Sequence, residues 1–246
     1  MLAFWIALQF LTIVPIQLKQ IPTAKQNAQS LLFYPVIGLL IGGILFALSL
    51  IFAHLPLILL SSMIFVVWIW LTGGLHLDGL ADTADAWVGG FGDPQRTLDI
   101  MKDPACGPIG VLSLIIVCLL KFAALYVLLQ QHSNLFLILV PALGRSVPVF
   151  LFLTTNYVRK KGLGQSIGDV IPKIWGWFIF ILTLSLLGIY QWQGLIISIG
   201  FILLLIYLRS VFNQRIGGIT GDTVGAAIEL LEMASLLIFV VTLFYL

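Results

Sequence analysis

Three aspartates, Asp78, Asp82 and Asp85, stand at i, i+4 and i+7 in the segment GGLHLDGLADTADA, residues 73–86. On a helix that spacing puts all three on one arc of about 60°, with neighbouring Cβ atoms about 5–6 Å apart. Carboxylates held so close repel one another unless a proton or a cation intervenes. Hard oxygen donors without a thiol or histidine cluster suit Mg²⁺, with Mn²⁺ as the alternative. A solvated acidic face at a membrane edge is the competing reading. The apolar flanks Leu75, Leu77 and Leu80, and the apolar run just upstream, favour the metal.

Downstream, residues 89–92 (GGFG) break the helix, and Asp93-Pro94 reads as an N-cap followed by proline at the first helical position. The next helix puts Arg96, Asp99 and Asp103 on one face, with Lys102 beside it. Two explanations stand: local salt bridges, or a second acidic shelf facing the first, with Arg96 and Lys102 gripping phosphate oxygens. Lys121 and Arg145 fall well inside apolar runs, where an unpaired charge is costly. Glu229 and Glu232 are plausible partners for them. An internal ion pair and a polar cavity for an anionic substrate both account for that pattern. His76 falls off the aspartate face and is expected only behind the site. Residues 217–223 (GGITGDT) form a polar stretch able to cradle phosphate through backbone N–H groups.

The elements that must carry these residues are membrane helices. Of 246 residues, 61% are apolar and 9% charged, with mean hydropathy +1.13; soluble domains run nearer a quarter charged. Runs of about 20 apolar residues suffice to cross a hydrocarbon core of about 30 Å. A secreted protein, a nucleic-acid binder and a disulfide-framed miniprotein are thereby excluded. Cys106 and Cys118, about 18 Å apart along a helix, cannot bridge. The expected fold is all-α: a polytopic bundle in one integral membrane domain, residues 1–246. About seven spans are expected, near 31–53, 55–72, 107–130, 134–155, 174–190, 194–208 and 225–246. A short helix within residues 1–18 lies at the interface or enters only in part. The first basic residue, Lys19, follows that apolar stretch, so the segment lacks the positive n-region of a secretory signal. Gly38, Gly42 and Gly43 in the first span are suited to close helix packing.

Seven alternating spans put segments 19–30, 73–106, 156–173 and 209–224 on one side. Together they hold ten of the twelve basic residues, among them Arg159, Lys160 and Lys161. The positive-inside rule makes that face cytoplasmic. Eight aspartates, including Asp169 and Asp222, lie in the same segments. The rule does not account for them, so carboxylate chemistry on the cytoplasmic face is expected.

The run GLHLDGLADTAD at 74–85, followed by Arg96-x-Leu98-x-Ile100-Met101-Lys102-Asp103, resembles the cobalamin synthase family (adenosylcobinamide-GDP ribazoletransferases). So do Gly107-x-x-Gly110, Lys121, Gly144-Arg145, Gly162-x-Gly164, the run GGITGDTVGA at 217–226 with Glu229, and the opening QFLT-x-x-P at 9–15. The likeness covers nearly the whole chain. Ala86, where glycine is common, and residues 104–108 (PACGP) depart from the pattern without removing a carboxylate.

The resemblance implies a Mg²⁺-dependent enzyme of the prokaryotic cytoplasmic membrane. It would join α-ribazole, or its 5′-phosphate, to adenosylcobinamide-GDP and release GMP. Asp78, Asp82 and Asp85 are then expected at Mg²⁺ and the diphosphate. Asp82 or Asp103 would take the proton from the attacking hydroxyl, with Lys102 beside them. Arg96, Lys121, Arg145 and Arg159, with Asp222 and Glu229, are expected around the substrate. The partners are these small molecules and the bilayer, with no nucleic acid; a homo-oligomer is compatible with the sequence. A CDP-alcohol phosphotransferase is one alternative, although its Asp-Gly-x-x-Ala-Arg run is absent. A proton-coupled transporter with Arg145 and Glu229 as relays is another, against which stand the lack of a clear internal repeat and the crowding of acids on one face.

Overall fold

The computed structural model describes residues 2–18, 20–159, 164, 167 and 170–245. Lys19, Lys160, Lys161, Gly162 and Asp169 lie outside the described residues. Helices account for about four-fifths of the described residues. The order is α1 (Leu2–Leu11), α2 (Ala24–Ser30), α3 (Tyr34–Ile51), α4 (Leu57–Leu71), α5 (Leu75–Gly89), α6 (Pro94–Ile100), α7 (Pro108–Gln130), α8 (Phe136–Thr154), α9 (Lys173–Ser185), α10 (Gln191–Ile216) and α11 (Gly221–Tyr245). Among the described residues there is no strand, only an isolated parallel bridge between Tyr157 and Ile219. Both cysteines are free.

By length and composition five helical runs can cross a membrane, or six if α4 and α5 count as one broken span. The expected number of about seven is not reached on that measure, for two physical reasons. Helix α4 has only 15 residues, or about 22 Å at 1.5 Å per residue. Lys173–Ile216 counts as one run of 44 residues, about 66 Å if straight. It is not straight. Gln191 has φ +48°, and both ends of the run lie beside the C-terminal end of α8. Gly176 faces Leu153 there, and Arg209 donates to the Thr154 carbonyl at 2.6 Å. Tyr190, at the turn, meets Phe136 at the other end of α8, with ring centroids 5.4 Å apart.

Helix α8 is the centre of the bundle. Its neighbour α3 approaches so closely that a Cβ on Gly38 would lie 2.5 Å from Ala142 Cα, and one on Gly42 2.5 Å from the Ile138 carbonyl. Gly43, grouped with them in the sequence, has open space instead. Small residues permit this backbone contact because lipid offers no competing hydrophobic drive. Ile37, Ile41 and Leu45 on α3, with Leu137, Val140 and Val147 on α8, are fully buried in the resulting core. Phe136 stacks on Phe239 of α11 at 4.1 Å, away from the end that carries the charges.

The turn between α4 and α5 positions the acidic segment. Gly73 and Gly74 both take positive φ, +62° and +70°, a region that costs side chains about 1 kcal/mol or more. The chain bends there by 83°. A helix that starts along a span direction therefore continues across the charged end of the bundle. Helix α6 then folds back on α5: the Thr97 hydroxyl donates to the Gly90 carbonyl at 3.0 Å, and Asp93 caps α6 by accepting from the Gln95 and Arg96 N–H groups.

Candidate active site

Helix α5 has two working faces. Asp78 is exposed, and Asp82 and Asp85 are half-buried, on its outer side; His76, Gly79 and Thr83 are buried on its inner side. The inner face rests on the start of α11. A Cβ on Gly79 would lie 2.8 Å from the Asp222 carbonyl, and Gly225 faces the His76 backbone. This crossing brings the Asp222 carboxylate into the field of Asp78 and Asp82. Burial, reinforced by the negative charges of Asp78 and Asp222, pushes Asp82 up to about 6. Arg159 offsets part of that shift, and Asp85 adds to it. A group raised by its like-charged neighbours favours a cation or a proton at this spot.

The three aspartates of α5 differ in their contacts. Asp85 is turned away to the N-terminus of α7, where its carboxylate accepts from the Gly107 and Gly110 N–H groups at 2.6 and 2.8 Å. Those N–H groups have no partner within the helix, and an acidic side chain at the positive end of its dipole satisfies both needs. Asp222, from a segment over 130 residues away, takes the third place near Asp78 and Asp82. Its carboxylate accepts from Arg159 Nη2 at 2.5 Å. Arg159 reaches it because the chain at 156–158 is tied to the loop before α11: Ile219 N–H donates to the Asn156 carbonyl, and Val158 N–H to the Ile219 carbonyl. Thr220 and Thr223 cap the start of α11 reciprocally, each hydroxyl accepting the other's backbone N–H at 2.8 and 3.2 Å. Part of the phosphate-cradling capacity expected of residues 217–223 is thereby used within the loop.

Behind this shelf lies a second ionic cluster of a different kind. Lys121 Nζ donates to Glu229 at 2.7 Å and to Glu232 at 2.8 Å. Arg145 pairs with the other oxygen of Glu232. Lys121 also sits 4.3 Å from the Trp68 ring centroid, a cation–π contact. Arg145 and Glu232 have no exposed surface at all. Two cations and two anions balance, and His76 Nδ1 lies 3.5 Å from Arg145 Nη2 at the edge nearest the shelf. Of the two readings of Lys121, Arg145 and Glu229, this geometry fits the internal ion pair. Glu232, noticed in the sequence only as a partner, is its centre.

The residues after α6 form the rim. Met101 is buried, and its carbonyl accepts from Arg159 at 3.4 Å while its sulfur accepts from the Thr220 hydroxyl at 3.7 Å. Lys102 and Asp103, next in the chain, are exposed beside that junction. Asp103 accepts from the Ala105 N–H, and Lys102 lies 3.8 Å from Asp99 in an open surface pair. Arg96 is exposed on α6. A cavity of about 610 Å³ opens beside the shelf, between α1, α2 and the α5–α11 crossing, with Asp78 and Asp222 in its wall. Sequence reasoning missed it because its apolar lining reads like any lipid-facing surface.

Known proteins place this architecture. The model of a family described as cobalamin-5-phosphate synthase matches residues 3–240. An adenosylcobinamide-GDP ribazoletransferase of Acinetobacter baumannii (strain ACICU) is 65% identical over the full length of both chains. Proteins of that name from Pseudomonas fluorescens (strain Pf0-1) and Ectopseudomonas mendocina (strain ymp) are each 50% identical over 96% of this chain and 98% of their own. No solved structure matches. A multi-pass bundle with its carboxylates gathered at one end, matched along nearly its whole length, belongs to the cobalamin-5-phosphate synthase family of transferases.

Proposed function

We propose that the protein transfers the cobinamide phosphate of adenosylcobinamide-GDP to α-ribazole or its 5′-phosphate, at the cytoplasmic face of a prokaryotic inner membrane. The observation that carries the site assignment is the convergence of Asp78, Asp82 and Asp222 beside Arg159 at the charged end of the bundle. In the reaction a hydroxyl oxygen of the nucleoside forms a bond to the phosphorus that bears cobinamide. The bond from that phosphorus to the bridging oxygen breaks, and GMP leaves with the electron pair. The hydroxyl proton passes to a carboxylate of the shelf or its rim, Asp82 or Asp103.

The donor set suits Mg²⁺ in a particular way. Among the described residues no three His, Cys, Asp or Glu side chains converge closely enough to hold a metal by themselves. Mg²⁺ usually keeps several waters and takes one or two carboxylates plus substrate phosphates. Asp78 and Asp82 are hard, accessible donors of that kind; Asp85 is engaged at α7. Bound there, the ion would neutralise charge on the diphosphate. Arg159, held by Asp222, is placed to meet diphosphate or GMP oxygens, with Lys102 and Arg96 on the exposed rim and Asp103 beside them. Lys121, Arg145 and Glu229 stiffen the floor beneath His76. Arg145 and Glu229 also carried the transporter alternative, and their pairing in a sealed, neutral cluster removes its support.

The test is GMP release by detergent-purified protein given adenosylcobinamide-GDP and α-ribazole, with and without Mg²⁺. Release that requires both substrates and the ion is expected. No release from folded protein with Mg²⁺ and both substrates present would refute the reading.

A further inference from the structure

The 610 Å³ cavity lies within the range of about 300–1,000 Å³ typical of small-ligand pockets. Its lining combines aromatic rings with carboxylates. Phe10 and Tyr34, from the start of the chain, stack with centroids 6.1 Å apart and planes 22° apart. Phe152 and Tyr157, from α8 and the segment after it, stack at 5.9 Å and 15°. All four rings line the cavity, which thus offers two flat aromatic surfaces. The same lining carries the carboxylates of Asp78 and Asp222. Two polar groups of the lining are engaged within the protein: the Gln9 amide N–H donates to the Ile16 carbonyl at 2.8 Å, and the Ser30 hydroxyl to the Asn27 carbonyl at 2.7 Å.

From this arrangement we infer that the cavity binds the acceptor nucleoside, its flat base among the aromatic rings and its ribose hydroxyls toward Asp78 and Asp222. A flat ring extends a stacked pair favourably, and carboxylates are acceptors for hydroxyl groups. The base that fits is a flat aromatic ring able to lie against these side chains. The corrinoid, with its adenosyl and GDP groups, is far too large and meets the shelf from outside. The division of labour follows: the acceptor comes through the cavity and the diphosphate across the open rim, and the two meet at Asp78. Ile21, 95% exposed at the cavity mouth, is the residue an incoming base passes.

This inference rests on the proposed transferase reaction, so the experiment separates the two. Phe10→Ala and Ile21→Trp both change exposed side chains outside the buried core, 44% and 95% exposed, so neither endangers the fold. Phe10→Ala is expected to raise the KM for α-ribazole by about tenfold, the scale of one lost base-stacking contact, and Ile21→Trp to raise it by narrowing the mouth. The KM for adenosylcobinamide-GDP and the kcat at saturating nucleoside are expected to stay unchanged. A raised KM for the corrinoid alone would hand the cavity to the guanine nucleotide. No change in either KM would make it a lipid-filled or packing void; both outcomes overturn the inference and leave the transferase standing. Equilibrium dialysis of α-ribazole against the same proteins provides the second readout. Nucleoside bound by the wild type and released by Phe10→Ala, without any GMP formation, would keep the pocket and sink the reaction. Absence of both binding and turnover would sink the pocket with it.

Discussion

The protein holds two clusters of charge next to each other, and they obey opposite rules. Lys121, Arg145, Glu229 and Glu232 are sealed and balanced, each cation meeting a carboxylate within the bundle. Asp78, Asp82 and Asp222 are open to the charged end, and among the described residues they share a single close cation, Arg159. His76 lies between, buried under the shelf and beside Arg145. The contrast teaches how to tell structure from function in a membrane helix bundle. Charges neutralised by one another in the interior hold the helices in register. Excess charge of one sign, left facing an opening, awaits something from outside. In sequence both clusters look alike, as charged residues in or beside apolar runs.

The largest effect should come from breaking the balanced cluster. Glu232→Leu leaves Lys121 and Arg145 buried without their shared partner, at a cost of about 3–5 kcal/mol. Thermal unfolding in detergent should show a marked fall in Tm, or folded protein should not be recovered at all. A Tm equal to that of the wild type would mean the cluster contributes little to the fold. On the open shelf the balance of effects reverses: Asp82→Asn should keep the wild-type Tm and reduce GMP release by about a hundredfold, the lower range for a lost acid–base group.

How far each cluster was legible in the sequence follows from the distances involved. Asp78 and Asp82 share a helix face, and helical spacing alone brings them together. Asp85 satisfies the same spacing, yet its carboxylate meets the α7 N-terminus; only tertiary structure reveals that. Asp222 joins the shelf through the Gly79 crossing of α5 and α11, a contact between segments remote in the chain. Lys121 and Arg145 announced a need for partners through the cost of an unpaired charge in lipid, yet spacing could not choose between an ion pair and an anion site. The helical bundle was evident from hydropathy. The number of spans was harder to read, since a fifteen-residue helix and a reversal at Gln191 leave little trace in composition. The rings of the cavity, from Phe10 to Tyr157, carry no signal that separates them from lipid-facing aromatics.

Smaller perturbations sharpen the contrast within the shelf. Arg159→Ala removes the cation paired with Asp222; kcat/KM should fall by about tenfold, or ~1.4 kcal/mol of transition-state stabilisation. Unchanged kinetics would place the diphosphate elsewhere. Asp85→Asn loses part of the α7 cap, so Tm should drop by the equivalent of about 1 kcal/mol, while the Mg²⁺ concentration for half-maximal rate stays put. A shift in that Mg²⁺ dependence matching the one in Asp82→Asn would restore Asp85 as a metal ligand. Lys102→Ala should do least. Its exposed pair with Asp99 contributes almost nothing to stability, and Tm should not move; a collapse of kcat would make Lys102 part of the chemistry.

The most direct test sets the two clusters against each other in one assay. GMP release per folded molecule would be measured with Mg²⁺ for Asp82→Asn and for the charge-neutral double variant Lys121→Met/Glu229→Gln. The account predicts a lowered Tm but turnover within about threefold of wild type for the double variant, since removing a balanced pair leaves no buried charge unmatched. It predicts the converse for Asp82→Asn, an intact Tm and lost turnover. Full activity in Asp82→Asn, or a double variant that folds normally yet cannot release GMP, would contradict it.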